Sequence, residues 1–339
     1  MNQTTADIQA LTQEGILTNH LAANENRNNC PLRLSSAGKC KRQVALKTSL
    51  AEERPLDYEA AAMFSHGNMR GEQMAAGLVT AATAKQMAVM LETEHWLEIP
   101  NPDSDDGLWD TKMTGELFAV LDGMFGEKDL PVRFTVVEAR CHIEVRGRSD
   151  AILIDTDSKV TVVENKTMNP YSFKRTVNDP DEKIDAAYKC QLASYVVAFE
   201  EENPEVEMMD PVFLFEDKAF HANFKHHTPV EEMRDLVNTM VRPQYALLFK
   251  AIVAGKQREV SPDFGPNQSG KLPWNCNYCD VAAACWRNAG LTNKKPGQRI
   301  PEYFVTSTRW QDGEAKRMTE REAADAPMPS EQLKKDAPY

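Results

Sequence analysis

Residues 147–166 read Gly-Arg-Ser-Asp-Ala-Ile-Leu-Ile-Asp-Thr-Asp-Ser-Lys-Val-Thr-Val-Val-Glu-Asn-Lys. Asp150 opens one apolar stretch, the chain turns through polar residues, and a second apolar stretch delivers Glu164 and Lys166. Alternate residues of a strand share a face, so Glu164 and Lys166 project together. Two carboxylates and an ammonium at one sheet edge are the equipment for holding a divalent cation and activating water. A Glu-x-Lys standing alone is more often solvated charge at a hairpin end. The Gly-x-x-Asp before it and the residues downstream argue for chemistry.

The two carboxylates meet only in one register. If residues 155–159 form a five-residue hairpin loop, Ile154 faces Val160, Ile152 faces Val162 and Asp150 faces Glu164. Directly opposed residues have Cβ atoms about 4.5–5.5 Å apart. A loop one residue shorter turns Asp150 to the other face from Glu164. The chemistry therefore predicts the register.

A second group of reactive side chains is Cys276-Asn-Tyr-Cys279-Asp-Val-Ala-Ala-Ala-Cys285, a C-x2-C-x5-C run. Three thiols so spaced need a fourth ligand; Cys40 is the first candidate and Cys30 the reserve. Such a set accepts zinc or an iron–sulfur cluster, and spacing alone does not choose between them. Ligands from both ends of the domain would act as a staple. Cys141 on a strand and Cys190 in a helix read as buried free thiols. Seven cysteines in a chain whose start, Met-Asn-Gln-Thr-Thr-Ala-Asp, has no signal-peptide pattern point to ligation rather than disulfides, and to the cytoplasm of a bacterium or infected host cell.

The chain has 339 residues, 42% hydrophobic and 27% charged, enough for one large domain or two modest ones. No segment approaches the run of about 18 apolar residues that spans a membrane. A net charge of −12 excludes a general polyanion binder but leaves room for a basic groove. Candidate basic clusters are Lys39-Cys40-Lys41-Arg42, Lys174-Arg175 and Lys225-His226-His227; the acidic run 200–202 faces away from any DNA.

The elements that position these groups follow from periodicity. Helices are predicted over 5–24, 36–50 (carrying Cys40), 57–80 with interruptions at Gly67 and Gly71, 82–92 and 183–200. Strands are predicted over 94–99, 115–125, 131–140, 142–154 and 159–167, and a hairpin over 206–216 and 218–226. Thr228-Pro-Val-Glu231 reads as an N-cap, first-turn proline and capping-box glutamate of a helix to about 254, kinked at Pro243. A loop over 256–273 leads to the cysteines. The result is an α+β (α/β) core, a central mixed, largely antiparallel sheet flanked by helices. Domain boundaries are expected at 1–30 (helical extension), 31–300 (main domain with the cysteine staple) and 301–339 (flexible tail).

The order Asp150, Glu164-x-Lys166, then Gln191-Leu-Ala-Ser-Tyr195 resembles the PD-(D/E)XK nuclease superfamily, in particular its RecB-like branch with a Gln-x-x-x-Tyr helix. Gln191 and Tyr195, four apart, share a helix face. With Cys40 and the C-x2-C-x5-C run the pattern resembles the iron–sulfur nucleases of that branch, the CRISPR-associated cluster-bearing exonucleases and the AddB nuclease domain, over roughly residues 33–290. The resemblance implies a restriction-endonuclease-like core and a 4Fe–4S cluster on Cys40, Cys276, Cys279 and Cys285, with zinc the alternative. It implies Mg2+ or Mn2+ on Asp150, Glu164 and the Asn165 carbonyl, and a Lys166 that orients or deprotonates water. Gln191 and Tyr195 would position the strand and Lys166. The sequence departs from the family where an early helix commonly supplies His: Gly67-Asn-Met-Arg-Gly71-Glu72 offers Glu72 first and His66 second as the helix's metal ligand. Arg42, Lys174 and Arg175 are the DNA-binding candidates. The expected activity is a metal-dependent deoxyribonuclease, an exonuclease on single strands or DNA ends in replication, recombination or repair. The rival is a non-catalytic DNA-end-binding or assembly factor that keeps the fold. Self-association and a helicase or recombination partner leave no pattern in the sequence.

Overall fold

The structure is a computed structural model that describes residues 13–18, 30–51, 53–54, 56, 58–126, 130–219, 222–295, 298 and 300–305. Of the helix expected over 5–24, the described residues 13–18 are helical; of the flexible tail expected over 301–339, Tyr303–Val305 instead form a strand with Tyr303 and Val305 buried, and 306–339 lie outside the described residues. The helices are α1 (Lys41–Thr48), α2 (Tyr58–Ala84), α3 (Thr111–Phe125), α4 (Pro170–Asn178), α5 (Pro180–Lys183), α6 (Ala186–Glu202), α7 (Val230–Leu236), α8 (Arg242–Val253), α9 (Trp274–Tyr278) and α10 (Ala282–Cys285). The strands are β1 (Ala88–Glu98), β2 (Trp109–Asp110), β3 (Val132–Val137), β4 (Arg140–Ile154), β5 (Val160–Met168), β6 (Val212–Asp217), β7 (Asn223–His227), β8 (Leu291–Asn293) and β9 (Tyr303–Val305). Among the described residues no helix is long and apolar enough to cross a membrane.

The chain forms two compact units. The first comprises Met1–Gly38, Leu56–Thr114 and Lys128–Ala246. It holds a seven-stranded sheet in the order β1-β4-β5-β6-β7, with β2 and β3 also paired to β4. All pairings are antiparallel except β5–β6, whose parallel crossover is made through α4, α5 and α6. This is the mixed, largely antiparallel sheet flanked by helices that the sequence predicts. Phe199 of α6 packs with Ile152 and Val160 on one face, and Leu78 of α2 packs with Ala151, Val163 and Val212 on the other. The second unit comprises Lys39–Pro55, Gly115–Glu127 and Leu247–Tyr339. It contains α1, α9, α10 and the two-stranded β8–β9 sheet. Its core gathers Leu272, Cys276, Ala282, Trp286, Ala289, Tyr303 and Val305.

Strand β4 organises the sheet. Along one edge it pairs with β2 and then β1, and along the other with β3 as far as Val145 and with β5 from Ala151. Between the last β3 partner and the first β5 partner lies Arg146–Asp150, where Arg146 donates its N–H to the Pro131 carbonyl (2.7 Å) and the Arg148 backbone meets Tyr195. Burial alternates along the strand from Cys141 to Ser149 and then slips by one, so that Ala151 and Ile152 are both buried. Opposite the slip, Glu92 of β1 adopts φ +47°, in the left-handed region. The two faces of β4 thus exchange roles at Asp150.

Several local expectations are corrected. Residues 115–125, predicted as a strand, belong to helix α3: the Asp110 carboxylate accepts the N–H of Lys112 (2.8 Å) and Met113 (3.2 Å), and Leu117 and Leu121 are buried one turn apart. Helix α2 runs unbroken through Gly67 and Gly71, because a glycine costs a helix interior only about 1 kcal/mol. The helix predicted over 82–92 stops at Ala84, Gln86 takes φ +59°, and residues from Ala88 join β1, where pairing to β4 overrides an alanine- and methionine-rich helical propensity. The hairpin strand expected from 206 begins at Val212. Helix α7 is preceded by Pro229 rather than capped by Thr228; the Val230 N–H goes to the Asp210 carboxylate (3.0 Å). Ahead of Pro243 the chain makes a π-helical turn over Val237–Val241, which accommodates the missing proline N–H at the start of α8.

Gly147 is one glycine the fold requires. A Cβ there would lie 2.5 Å from Tyr195 Cε1 and 2.7 Å from Leu34 Cβ, both fully buried side chains. Gly147→Ala should therefore destabilise the protein by about 1–3 kcal/mol through overpacking. Urea unfolding should show a lower midpoint at unchanged slope.

Candidate active site

The hairpin of β4 and β5 has the predicted loop and register. Asp155 N–H donates to the Lys159 carbonyl (3.0 Å), the Asp155 carboxylate accepts the N–H groups of Asp157 and Lys159, and Ile154 pairs with Val160 and Ile152 with Val162. The backbone ladder ends at Ala151–Val163. Beyond it the Asp150 carboxylate takes over, accepting the N–H of Asn165 (2.7 Å). Asp150 thus occupies the point where β4 parts from β5, bound to the backbone beside Glu164.

Glu164 is fully buried, and its Oε1 accepts from Lys166 Nζ at 2.6 Å. Lys166 Nζ also donates to Gln191 Oε1 (3.1 Å), and Gln191 Nε2 donates to the Tyr195 hydroxyl (2.9 Å). The Glu164–Lys166–Gln191–Tyr195 chain therefore runs from β5 onto one face of α6. Asp185 caps that helix by accepting the Ala187 N–H (2.8 Å). The face of the Tyr188 ring, one turn before Gln191, lies 4.8 Å from Lys166 Nζ.

Electrostatics follow from burial. Loss of solvent pushes the Glu164 carboxyl up to about 7 against the pull of Lys166, with the Asp150 charge adding to the rise. Burial likewise raises Asp150, opposed by the Asn165 N–H and by Lys166. For Lys166 burial is the largest influence and lowers the pKa, yet the Glu164 and Asp150 carboxylates together outweigh it and the net shift is upward. Lys166 is therefore an ammonium at neutral pH. Among the described residues, two buried oxygens here have no hydrogen-bond donor, Glu164 Oε2 and Asn165 Oδ1. A desolvated carboxylate with an unclaimed oxygen beside a second carboxylate is chemically suited to a hard divalent cation.

Helix α2 meets the opposite face of the sheet, where Gly67 approaches Thr167 and Arg70 ion-pairs with the buried Glu216 of β6. Glu72 is exposed on α2 and His66 half-buried; among the described residues no hydrogen bond or ion pair joins either to Asp150 or Glu164. Among the described residues no three of His, Cys, Asp or Glu converge on a metal position. Lys174 and Arg175 are exposed on α4, Arg175 over the Tyr171 ring at 5.6 Å. In the second unit Cys40, Cys276, Cys279 and Cys285 feel one another electrostatically, and Arg42 acts on Cys285. Cys30, Cys141 and Cys190 are buried in the first unit. Sequence reading missed Tyr188 and the Arg70–Glu216 pair. Tyr188 was open to detection, since it stands three residues before Gln191 on the same helix; Glu216 was not, because only the sheet topology brings it under α2.

Because Glu164 holds its proton to a higher pH when folded than its usual 4.5, the folded state binds more protons between about 4.5 and 7. That contribution is favourable at low pH and is lost as pH rises through this window. In protein freed of divalent metal, Glu164→Gln should therefore gain stability relative to wild type on going from pH 5 to pH 8, read from paired urea titrations. An unchanged difference at the two values would contradict the burial assigned to this carboxylate.

Comparison with known proteins adds the family. The model of the PD-(D/E)XK nuclease superfamily matches residues 31–286, a span that includes Asp150, Glu164, Lys166, Gln191, Tyr195 and all four candidate cysteine ligands. No curated protein matches the chain significantly. A solved structure titled "Crystal structure of SSO0001" overlaps 81% of this chain and 94% of its own at 14% identity and a TM-score of 0.39, a likeness on which nothing below rests. The chain belongs to the PD-(D/E)XK nuclease superfamily.

Proposed function

We propose that the protein is a metal-dependent deoxyribonuclease, an exonuclease acting on single-stranded DNA or DNA ends. One observation carries the reading: Lys166 is clamped between Glu164 and Gln191 beside Asp150, at the point where β4 and β5 separate. Membership in a superfamily made up generally of nucleases supports it. A purely structural salt bridge has little reason to keep a second buried carboxylate next to the first, since each costs desolvation.

Asp150, Glu164 and the Asn165 carbonyl are the oxygen donors that would hold Mg2+ or Mn2+, whereas Glu72 and His66 stand on α2 at the other face of the sheet. When bound, the cation supplies charge neutralisation at the phosphate and a more acidic water. The chain's own contribution lies in Lys166, whose raised pKa makes it a hydrogen-bond donor and fixed positive charge toward the developing phosphate charge rather than a base. Gln191 fixes its direction, and Tyr195 fixes Gln191. Burial keeps the Tyr195 phenol protonated, far above its usual range.

The finer reading includes a 4Fe–4S cluster on Cys40, Cys276, Cys279 and Cys285, with zinc as the alternative. Its support is the donor set: four thiols from two segments of one unit, within electrostatic reach of one another. Burial raises the Cys276 and Cys285 thiols to about 11 and about 12, so ligation displaces protons and is favoured by higher pH. A cluster there would tie α1 to α9 and α10 and would be structural.

End-labelled DNA incubated with Mg2+ or Mn2+ should be degraded, and Asp150→Ala or Lys166→Ala should lower the rate by at least about 100-fold while circular dichroism stays that of wild type. Full activity in either purified variant, or DNA binding without cleavage by the wild type, would replace the nuclease reading with that of a DNA-end-binding factor. Anaerobically purified protein should carry iron and sulfide that Cys276→Ser loses; stoichiometric zinc in colourless protein would reverse the metal assignment.

A further inference from the structure

The second unit carries a cleft of about 620 Å³ walled by Lys271, Trp274, Asn277, Lys295 and Glu302. That size admits a nucleotide. Two features distinguish it from ordinary surface. Trp274 and Tyr278, one turn apart on α9, are 62% and 56% exposed and stand edge to face with centroids 6.0 Å apart. On the same helix Cys276 is buried, so the helix turns its sulfur inward and its two large aromatic rings to solvent. Exposed tryptophan is unfavourable in water unless something covers it.

The charges around the rings are unbalanced. Lys271 and Lys295 both pair with the one carboxylate of Glu302. Lys294 lies 3.8 Å from the centroid of the Phe304 ring, and Arg54 donates to the Asn277 carbonyl (3.4 Å). Asp280 and Glu53 share Lys47, at 2.5 and 3.2 Å. Lys47, Arg54, Lys271, Lys294 and Lys295 thus outnumber Glu53, Asp280 and Glu302 in this region of a chain whose net charge is −12. Such a patch attracts an anionic chain, and rings open to solvent offer stacking to unpaired bases, whereas bases inside a duplex are already stacked.

We propose that this cleft is a docking surface for single-stranded DNA, with bases stacked on Trp274 and Tyr278 and backbone phosphates on Lys271, Lys294, Lys295 and Arg54. The choice of DNA rests on the nuclease reading; the single-strand preference rests on the cleft itself. The surface belongs to the second unit and uses none of the residues assigned to cleavage.

The test is fluorescence anisotropy of a labelled oligothymidylate with the full chain carrying Lys166→Ala, without added divalent metal. Trp274→Ala should weaken binding by about tenfold or more, and Trp274→Phe, which keeps a stacking face, should restore most of it. Lys294→Gln with Lys295→Gln should reduce the slope of log affinity against log salt by about 1.4. Affinity for a blunt duplex should be unchanged by Trp274→Ala. Binding of the oligothymidylate by Trp274→Ala within about twofold of its parent, or an equal loss for duplex, would overturn the proposal and leave the rings to a protein partner. Parallel digestion by the wild type separates the two readings. Intact DNA alongside a Trp274-dependent affinity sinks the nuclease and keeps the docking surface, while digestion with a Trp274-independent affinity does the reverse.

Discussion

The site depends on a buried ion pair. Glu164 and Lys166 lie two residues apart on β5, both withdrawn from water, and burial disfavours the charge on each. Their mutual attraction offsets part of the desolvation, and Gln191 supplies Lys166 with a second acceptor. The offset is incomplete for Glu164, whose carboxyl stays near neutrality in its pKa and keeps Oε2 unclaimed. That residual electrostatic demand is what the proposed cation would meet, and the surrounding elements can be understood as holding the two carboxylates in place.

Three constraints do so. The five-residue loop at 155–159 sets the hairpin register, and with it the meeting of Asp150 with β5. The passage of the β4 edge from β3 to β5 leaves a gap in pairing, and Asp150 fills the end of that gap with its own carboxylate in place of a backbone carbonyl. Gly147 lets the Tyr195 ring close over the gap, with His95 behind it. His95 is buried and hydrogen-bonded to Ser149 (2.9 Å), and burial lowers its pKa to about 4, so it is a neutral strut. A charged imidazole next to Tyr195 would alter the field at Lys166; burial prevents it.

The fold was legible wherever local pattern and tertiary context agreed. The β4–β5 hairpin combined alternation with turn residues and appears where expected; α6 was read from apolar periodicity over 183–200 and starts at Ala186, after its Asp185 cap. The misreadings share a cause. Residues 115–125 are apolar enough for a strand or a buried helix, and periodicity cannot separate the two; the Asp110 cap decided, and it lies before the stretch that was read as a strand. Residues 88–92 favour a helix locally, but β4 offers a long edge to pair with, and that pairing is non-local.

By itself the sequence singled out the candidate side chains and their order: Asp150, Glu164, Lys166, Gln191, Tyr195 and the cysteine run. It did so because those residues sit on short segments whose periods of two and of 3.6 decide locally which side chains share a face. Only the tertiary structure decided what those groups experience. Exclusion of water by α6 sets the pKa of Glu164, the parallel addition of β6 places Glu216 under Arg70, and the packing of α9 turns Trp274 outward while burying Cys276. Burial and long-range pairing depend on segments far apart in the chain, and no local pattern encodes their meeting.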